Sequence, residues 1–344
     1  MNTNISAHAD DMVEAGTRTN QQSGNKKKKT VFIDGQAGTT GLRIHQRLSG
    51  RNDLDLLVLP QDKRKDDAAR KEALNSCDVA FLCLPDDAAR QAVSMIESPH
   101  VIVLDASTAH RTNPTFAYGF PELSNKHRDA IATGHRIAVP GCHASGFIAL
   151  IRPLILAGVL QPDLPLTCHS ITGYSGGGKR MIGEYQNANR ADIYCAPRQY
   201  GLGQTHKHLP EMMAQTTLTC QPAFSPVVAD YYAGMEVTVP IFAKAWHIGQ
   251  AQQRIREIYA AQYHDPIVFY RENADENRFL SANVYAGKDC MEISVHGNDD
   301  IVLLCARYDN LGKGASGAAI ECMNIALGLD ASTGLQLEVP DHFA

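Results

Sequence analysis

Short apolar runs alternate with amphipathic stretches through the first half of the chain, and this alternation is its clearest structural signal. Each run has the length of a buried strand, and the first three are each followed by a segment with helical spacing of apolar residues. The runs that predict strands are Val31–Ile33, LDLLVLP (54–60), CDVAFLCLP (77–85) and HVIVLDAS (100–107). Strands alternating with helices form right-handed βαβ units, so this half predicts a parallel sheet.

The intervening helices are predicted from their apolar faces. In the first, Leu42, Ile44 and Leu48 fit one helical face. The segments KDDAARKEAL (65–74) and DDAARQAVSMIE (86–97) predict two more helices.

The pattern changes from about residue 146. Period-2 stretches predict strands of an antiparallel sheet, with one amphipathic helix between them and a helix of small residues near the C-terminus. The predicted strands lie in 166–176, 231–243 and 290–310, and the two helices in 249–263 and 314–329.

Composition excludes several classes of protein. The chain has 344 residues, 44% of them hydrophobic and 20% charged, with a net charge of −5. A mildly acidic chain without a basic face argues against nucleic-acid or membrane-surface binding, and no apolar run reaches the roughly 18 residues of a membrane span. The nine cysteines form no CxxC pair and predict free thiols in a reducing compartment, the cytoplasm. Residues 1–29 are polar and predict a disordered leader.

A glycine-rich loop follows the first predicted strand. Gly35, Gly38 and Gly41 frame Thr39 and Thr40 in a GxxGxxG pattern between that strand and a helix. Glycines permit a tight turn and let backbone N–H groups approach a diphosphate at a helix N-terminus. The loop therefore predicts a dinucleotide site, although GxxGxxG alone is a weak motif.

The residues after the second predicted strand bear on the choice of cofactor. A site for NAD usually has a carboxylate there, whereas this chain has Asp62 among the bases Lys63, Arg64 and Lys65. Those bases could hold a 2′-phosphate and favour NADP; a solvated loop of charges is the alternative.

A literal GxGxxG occurs at 312–317, too close to the C-terminus for a βαβ unit, and we interpret it as a site of close helix packing near the cofactor.

The stretch VPGCHASGF (139–147) offers a nucleophile. Cys142 follows a Pro-Gly turn and opens a predicted helix, and a helix N-terminus lowers the pKa of a thiol by stabilising the thiolate. The other reading is a buried structural cysteine, which fits the remaining cysteines in or beside apolar runs. No role follows for His143.

Three further motifs could carry chemistry. His206 and His208 in QTHKHLPEM point the same way in an extended segment, where one could be an acid–base; a metal site would need further ligands that have no suitable spacing nearby. The segment GYSGGGK contains Ser175 in a GxSxG pattern typical of serine hydrolases, although its glycines also suggest an anion or carbonyl cradle. Arg111 follows the fourth strand and could pair with a carboxylate or phosphate.

Taken together, six segments resemble the short-form N-acetyl-gamma-glutamyl-phosphate reductases of arginine biosynthesis, within the semialdehyde dehydrogenase superfamily. The resemblance runs from about residue 30 to 329, and its order and spacing are more specific than any single motif. The segments are FIDGQAGTTGL, DASTAHR, PGCHASGF, GYSGGGK, GQTHKHLPEM and DNLGKGASGAA.

The resemblance implies an α/β fold: a Rossmann-type parallel-sheet dinucleotide-binding domain (30–141 with 310–344) and an α+β catalytic and oligomerisation domain (142–309) with a mostly antiparallel sheet. It implies NADPH as cofactor, a homo-oligomer (dimer or tetramer), no metal, Cys142 as nucleophile and His206 as catalytic histidine. The remaining site residues that we expect are supporting His208 and Glu211; cofactor-binding Gly35, Gly38, Thr39, Thr40, Gly41, Lys63, Arg64, Ser107, Asn310 and Gly314; and substrate-binding Arg111, Ser175, Gly176 and Gly177.

The expected reaction is attack of the Cys142 thiolate on an acyl phosphate, release of phosphate, and hydride reduction of the thioester to an aldehyde, with His206 handling protons. Three alternatives remain open at this point. They are a sibling reductase acting on aspartyl phosphate or an acylated aminoadipyl phosphate, a serine hydrolase using Ser175, and a non-enzymatic NADP sensor.

Overall fold

The computed structural model describes residues 27–338, and two β-sheets organise that part of the chain. Most of the expected leader and the last six residues of the chain lie outside the described residues. The first sheet is built from β1 (Lys29–Asp34), β2 (Leu54–Leu57), β3 (Val79–Leu82), β4 (Ile102–Asp105), β5 (Ala117–Tyr118) and β6 (Arg136–Ala138).

All pairs in this first sheet are parallel, in the order β2-β1-β3-β4-β6-β5. Every residue of β3 and β4 is buried, as expected for central strands covered on both faces. The helices that alternate with the strands are α1 (Thr39–Leu48), α2 (Asp67–Ser76), α3 (Asp86–Met95) and α4 (Asn125–Thr133). The predicted Rossmann-type parallel sheet is confirmed, and β5 is an edge strand that the sequence did not indicate.

The strand order reverses between β1 and β3, because the chain moves to one side for β2 and returns to the other for β3 and β4. Gly35 follows β1 at this point with φ +84°, and a Cβ on it would lie 2.3 Å from the carbonyl oxygen of Cys83. Only glycine fits that conformation and that approach. The crevice at such a reversal is where open α/β sheets bind ligands.

The second sheet is mixed and mostly antiparallel, as predicted. Its strands are β7 (Thr167–Gly173), β8 (Arg198–Gln199), β9 (Ala223–Ala229), β10 (Met235–Ile241), β11 (Val268–Tyr270), β12 (Met291–Gly297) and β13 (Val302–Tyr308). Their order is β11-β12-β13-β10-β7-β9-β8, in which only β11–β12 and β7–β9 are parallel.

A buried helix joins the two sheets. The remaining helices are α5 (Cys142–Leu156), α6 (Gly178–Gln186), α7 (Leu209–Thr216), α8 (Ala251–Gln262) and α9 (Gly317–Ala326). Helix α5 is apolar on all sides and packs against α7, α8, β10 and β13, while α9 returns to α4 and β4 of the first sheet. One apolar cluster includes side chains from both sheets and from α5 and α9, so the first turn of α5 has a rigid support.

One detail of the predicted core is wrong. Ile44 and Leu48 of α1 are buried, but Leu42 is 45% exposed. Gly41 takes the third buried position, because it lies over the glycine loop, where a Cβ would be 2.6 Å from the Gly35 carbonyl oxygen. No helix within residues 27–338 has the length and apolarity needed to cross a bilayer.

The buried Ile44 and the exposed Leu42 of α1 provide a test of this packing. We expect Ile44→Ala to lower the free energy of unfolding by about 2–5 kcal/mol, because it leaves a cavity under the sheet. Leu42→Ala serves as the matched control and should change it by no more than about 0.5 kcal/mol. Urea unfolding followed by circular dichroism measures both; equal losses would contradict the packing of α1.

Candidate active site

Cys142 is the first residue of α5 and lines a cavity of about 290 Å³. Gly141 caps the helix without a side-chain hydrogen bond, so the first-turn N–H groups stay available. The Tyr308 hydroxyl holds that turn, because it accepts the Gly146 N–H at 2.9 Å and donates to the carbonyl of Cys142. Among the other residues that line the cavity are His143, Gly176, Gly177, Tyr200, His206 and His208.

Glu211 fixes the turn that precedes the thiol. Its carboxylate is 1% exposed and lies on the first turn of α7. It accepts hydrogen bonds from Arg111 Nη1 (2.7 Å), the Tyr118 hydroxyl (3.0 Å) and the Gly141 backbone N–H (3.1 Å). One buried carboxylate therefore ties the first sheet, the Pro-Gly turn and α7 together; the part played by Tyr118 had no signal in the sequence.

Arg111 is directed at the protein rather than at open solvent. Besides Glu211, its guanidinium donates to the carbonyl oxygens of Val139 (2.9 Å) and Ala106 (3.0 Å). It joins the carboxyl ends of β4 and β6 to the nucleophile turn. The sequence interpretation of Arg111 as a substrate ligand stays a prediction, and the contacts in the structure are those of a clamp.

The two histidines of the HxH motif lie beside each other, with ring centroids 4.7 Å apart. Burial and the charges of Lys207 and Arg111 lower the pKa of His206 to about 4, so this ring is neutral near pH 7. Its Nδ1 accepts the backbone N–H of His208 at 3.2 Å, which leaves the ring proton on Nε2. Burial also holds the pKa of His208 well below its usual value, and its Nε2 lies next to Gly141.

The expected lowering of the Cys142 pKa is reversed in this structure. Desolvation by the surrounding protein raises the pKa of the thiol to about 11, although the nearby charges of Arg111 and Lys207 act in the opposite direction. The sequence indicated the helix N-terminus, which favours the thiolate, but gave no measure of the burial by surrounding protein that opposes it. The thiol is protonated in this conformation near pH 7.

A groove at the sheet reversal suits a dinucleotide. It has a volume of about 680 Å³ and is lined by Gly35, Gln36, Arg64 and Lys65, among others. A smaller pocket of about 170 Å³ is lined by Gly38, Thr39, Thr40 and Gly41 at the uncapped N-terminus of α1, together with Cys83, Leu84 and Ala106. Free N–H groups there can receive a diphosphate. Lys63 does not line the groove; Lys65 does.

A buried ion pair borders the groove. Asp34 at the end of β1 accepts hydrogen bonds from Arg70 of α2 at 3.1 and 2.9 Å. Burial raises the pKa of Asp34, while Arg70 opposes that shift. No signal in the sequence pointed to this pair, since only the fold brings the end of β1 and helix α2 together.

Other predicted residues already have protein partners. The Ser107 hydroxyl donates to Asp105 at 2.8 Å. The Asn310 amide donates to Ser175 Oγ at 2.9 Å and accepts the Gly234 N–H at 2.9 Å. Ser175 is fully buried with no histidine partner within residues 27–338, unlike the serine of a hydrolase.

The C-terminal glycine motif forms a π-helical turn (Gly312–Ser316) that leads into α9. The Lys313 ammonium is buried and donates to Glu122 at 2.6 Å and to Glu321, so it is not directed at a phosphate. Gly314 lies against the nucleophile, because a Cβ on it would be 3.0 Å from the Cβ of Cys142. In the described part of the chain, no three His, Cys, Asp or Glu side chains converge as a metal site.

Two family models match the chain. Residues 30–132 match the semialdehyde dehydrogenase NAD-binding domain, and residues 142–310 match the semialdehyde dehydrogenase dimerisation domain. The chain therefore has a domain for a nicotinamide dinucleotide and a domain of a dimerising type.

Several curated relatives are N-acetyl-gamma-glutamyl-phosphate reductases. N-acetyl-gamma-glutamyl-phosphate reductase of Burkholderia cenocepacia is 42% identical over 308 residues, covering 88% of this chain and 98% of that protein. N-acetyl-gamma-glutamyl-phosphate reductase 2 of Nostoc sp. is 41% identical over 322 residues, covering 90% and 99%.

Solved structures share the fold at low sequence identity. Aspartate semialdehyde dehydrogenase II from Vibrio cholerae aligns with a TM-score of 0.64 at 16% identity, over 88% of this chain and 99% of that one. Aspartate semialdehyde dehydrogenase with NADP from Candida albicans aligns with a TM-score of 0.60 at 12% identity, over 90% and 100%.

The Glu211 contacts predict a large effect of a small change. Glu211→Gln removes the charge facing the buried Arg111 and one acceptor oxygen, and should lower the free energy of unfolding by roughly 3–5 kcal/mol. Glu72→Gln, on the exposed face of α2, is the matched control and should be nearly neutral. Chemical denaturation compares them; a loss below about 1 kcal/mol for Glu211→Gln would disprove the anchoring role.

The raised pKa of Cys142 predicts a pH profile. Below a pKa of about 11 the thiolate fraction grows about tenfold per pH unit, so alkylation of Cys142 by iodoacetamide should still be accelerating at pH 10. The urea-unfolded chain should level off near the ordinary thiol pKa of about 8.5. Peptide mass spectrometry after timed labelling follows this site. A plateau below pH 9 in the folded protein would instead support the low pKa that the helix N-terminus alone predicts.

Proposed function

The chain belongs to the N-acetyl-gamma-glutamyl-phosphate reductase family, and we propose that it reduces N-acetyl-gamma-glutamyl phosphate to N-acetylglutamate 5-semialdehyde and phosphate through a thioester on Cys142. The observation that carries the proposal is that Cys142 and His206 line one cavity. The groove beside the glycine loop, at the reversal of strand order in the first sheet, provides the dinucleotide site. The reaction belongs to arginine biosynthesis.

In the first half of the reaction, Cys142 Sγ forms a bond to the acyl carbon and the bond from that carbon to the phosphate oxygen breaks. The thiol proton leaves with the phosphate. His206 is neutral near pH 7 and its unprotonated nitrogen is Nδ1, so the ring can take up that proton at Nδ1 once Nδ1 releases the His208 N–H. A bound phosphoryl group would raise the pKa of His206 and favour this transfer.

In the second half, the nicotinamide cofactor, when bound, supplies the hydride that reduces the thioester carbon. The residues of this chain then hold the acyl group, exclude water and return a proton to Cys142 as its bond to carbon breaks and the aldehyde leaves. Gly314 lies against Cys142, and a side chain there would crowd the nucleophile, since a Cβ would be 3.0 Å from the Cβ of Cys142. Gly176 and Gly177 line the cavity and would receive the substrate's polar end.

NADP is the cofactor that the groove favours over NAD. Arg64 and Lys65 line the groove beyond β2, where a 2′-phosphate would lie, and the acids Asp62 and Asp67 line it as well. Asp34 is neutralised by Arg70 and does not compete for cations. The residues present therefore fit a dinucleotide with an added phosphate.

The remaining sequence predictions are retained as parts of this proposal. The protein assembles as a homo-oligomer, supported by the match of residues 142–310 to a dimerisation domain, and acts in the cytoplasm. The domain boundaries 30–141 with 310–344 and 142–309 also stay as proposed. Relatives at 42% identity carry the N-acetyl-gamma-glutamyl-phosphate name, which favours this substrate over aspartyl or aminoadipyl phosphates.

The reverse reaction tests the proposal. Purified protein should reduce NADP with N-acetylglutamate 5-semialdehyde only when phosphate is present, faster than with NAD and faster than with aspartate semialdehyde. Cys142→Ala should lower the rate by roughly 10⁴-fold or more, since the covalent route is lost. Cys195→Ala removes an exposed thiol and should keep the wild-type rate.

Two results would reject the proposal. One is a wild-type rate that does not depend on phosphate. The other is full activity of Cys142→Ala while its circular dichroism and melting temperature match the wild type.

A further inference from the structure

His143 is a buried histidine beside the nucleophile. It follows Cys142 on α5 and is 3% exposed. Its Nδ1 lies 2.7 Å from the Ser170 hydroxyl of β7, and its Nε2 lies 2.6 Å from the Tyr200 hydroxyl. Both ring nitrogens therefore form hydrogen bonds, and the three side chains make a chain Ser170–His143–Tyr200. Tyr200, at one end of this chain, lines the cavity of Cys142.

The hydroxyl of Ser170 decides where the imidazole proton lies. Ser170 is 0% exposed, and within residues 27–338 its side chain has no hydrogen-bond partner other than His143. Burial lowers the pKa of His143 to about 3, so the ring is neutral and carries one proton. If Nδ1 held that proton, the Ser170 hydroxyl proton would be buried without an acceptor, which is unfavourable. Ser170 therefore donates to Nδ1, and the ring proton lies on Nε2.

Tyr200 is consequently an acceptor toward His143, and its own hydroxyl proton is free. Nε2–H donates to the Tyr200 oxygen, so that oxygen's proton has to point elsewhere. Tyr200 lines the cavity together with Cys142 and His206, and the side chain has no other hydrogen bond within residues 27–338. Burial keeps the pKa of Tyr200 far above its ordinary value, so the hydroxyl remains a donor at working pH.

We propose that Tyr200 donates a hydrogen bond to the acyl oxygen of the substrate, where negative charge develops as Cys142 adds to the acyl carbon, and that His143 and Ser170 aim this hydroxyl. Tyr200 is then a catalytic residue, and the other two are positioning residues. The inference rests on the proposed function for the identity of the acyl group. It assigns a role to His143, which the sequence left without one.

Tyr200→Phe is the first test. Loss of one donor to a developing oxyanion should lower kcat about 10²–10³-fold with little change in KM. Tyr270→Phe is the matched control, because its hydroxyl lies on β11 away from the cavity; it should keep wild-type kinetics. A normal kcat in Tyr200→Phe, or a raised KM with unchanged kcat, would overturn the proposal.

Variants of Ser170 test whether the chain Ser170–His143–Tyr200 acts through Tyr200. Ser170→Ala should lower kcat, Ser170→Thr should restore most of it because the hydroxyl returns, and Ser170→Ala should have no further effect in the Tyr200→Phe background. Ser294→Ala removes a different serine–histidine contact of the same sheet, the 3.0 Å contact to His296, and should be neutral. Additive losses in the double variant would overturn the positioning role. Melting temperatures identify any variant that fails to fold.

The tautomer of His143 can be read without activity. Nitrogen chemical shifts of protein labelled with ¹⁵N-histidine should show Nε2–H and an unprotonated Nδ1 for the ring that disappears in His143→Gln. An Nδ1–H ring would overturn the proposal. If wild-type protein lacks phosphate-dependent reduction of NADP, the proposed function fails, and this spectrum still decides whether Tyr200 is presented as a donor.

Discussion

The site depends on the buried carboxylate of Glu211 more than on any other group. Three donors converge on it: a charged guanidinium, a phenol and the backbone N–H of Gly141. A buried carboxylate needs such partners, since an unpaired one would be costly to desolvate. The same hydrogen bonds fix the turn from which α5 starts, and so fix the direction in which Cys142 enters the cavity. A requirement of stability thereby becomes a constraint on the geometry of the chemistry.

Desolvation then sets the resting state of the thiol and the three imidazoles that line the cavity. Burial favours the neutral form of acids and bases alike, so the thiol of Cys142 and the rings of His143, His206 and His208 are all uncharged near pH 7. The thiol and the imidazoles are therefore neutral donors and acceptors beside the charges of Lys207 and Arg111, and a bound phosphorylated substrate brings a further charge to which they respond. That arrangement suits a nucleophile that becomes a thiolate only in the presence of its acyl phosphate.

The architecture was largely readable from the chain, and the exceptions have physical causes. Apolar runs predicted the parallel sheet because central strands are buried on both faces, and alternation predicted the second sheet. Leu42 was misplaced because helical spacing does not show that Gly41, under the glycine loop, occupies the buried position. Lys63 stays a prediction: charge along a loop is visible in sequence, but the side chains that line the groove, here Arg64 and Lys65, are not.

What the sequence determined by itself was the type of chemistry: a glycine loop after a strand, a cysteine at a helix start, and a distant histidine pair in one order along the chain. These features are local, because each depends on the conformational preferences of a short segment of the chain. The tertiary structure decided the protonation states and the partners of each group. Glu211 meets Gly141 across 70 positions and His143 meets Tyr200 across 57. Burial by the folded chain also reverses the pKa shift expected for Cys142. Desolvation depends on everything packed around a group, so no segment of sequence contains it.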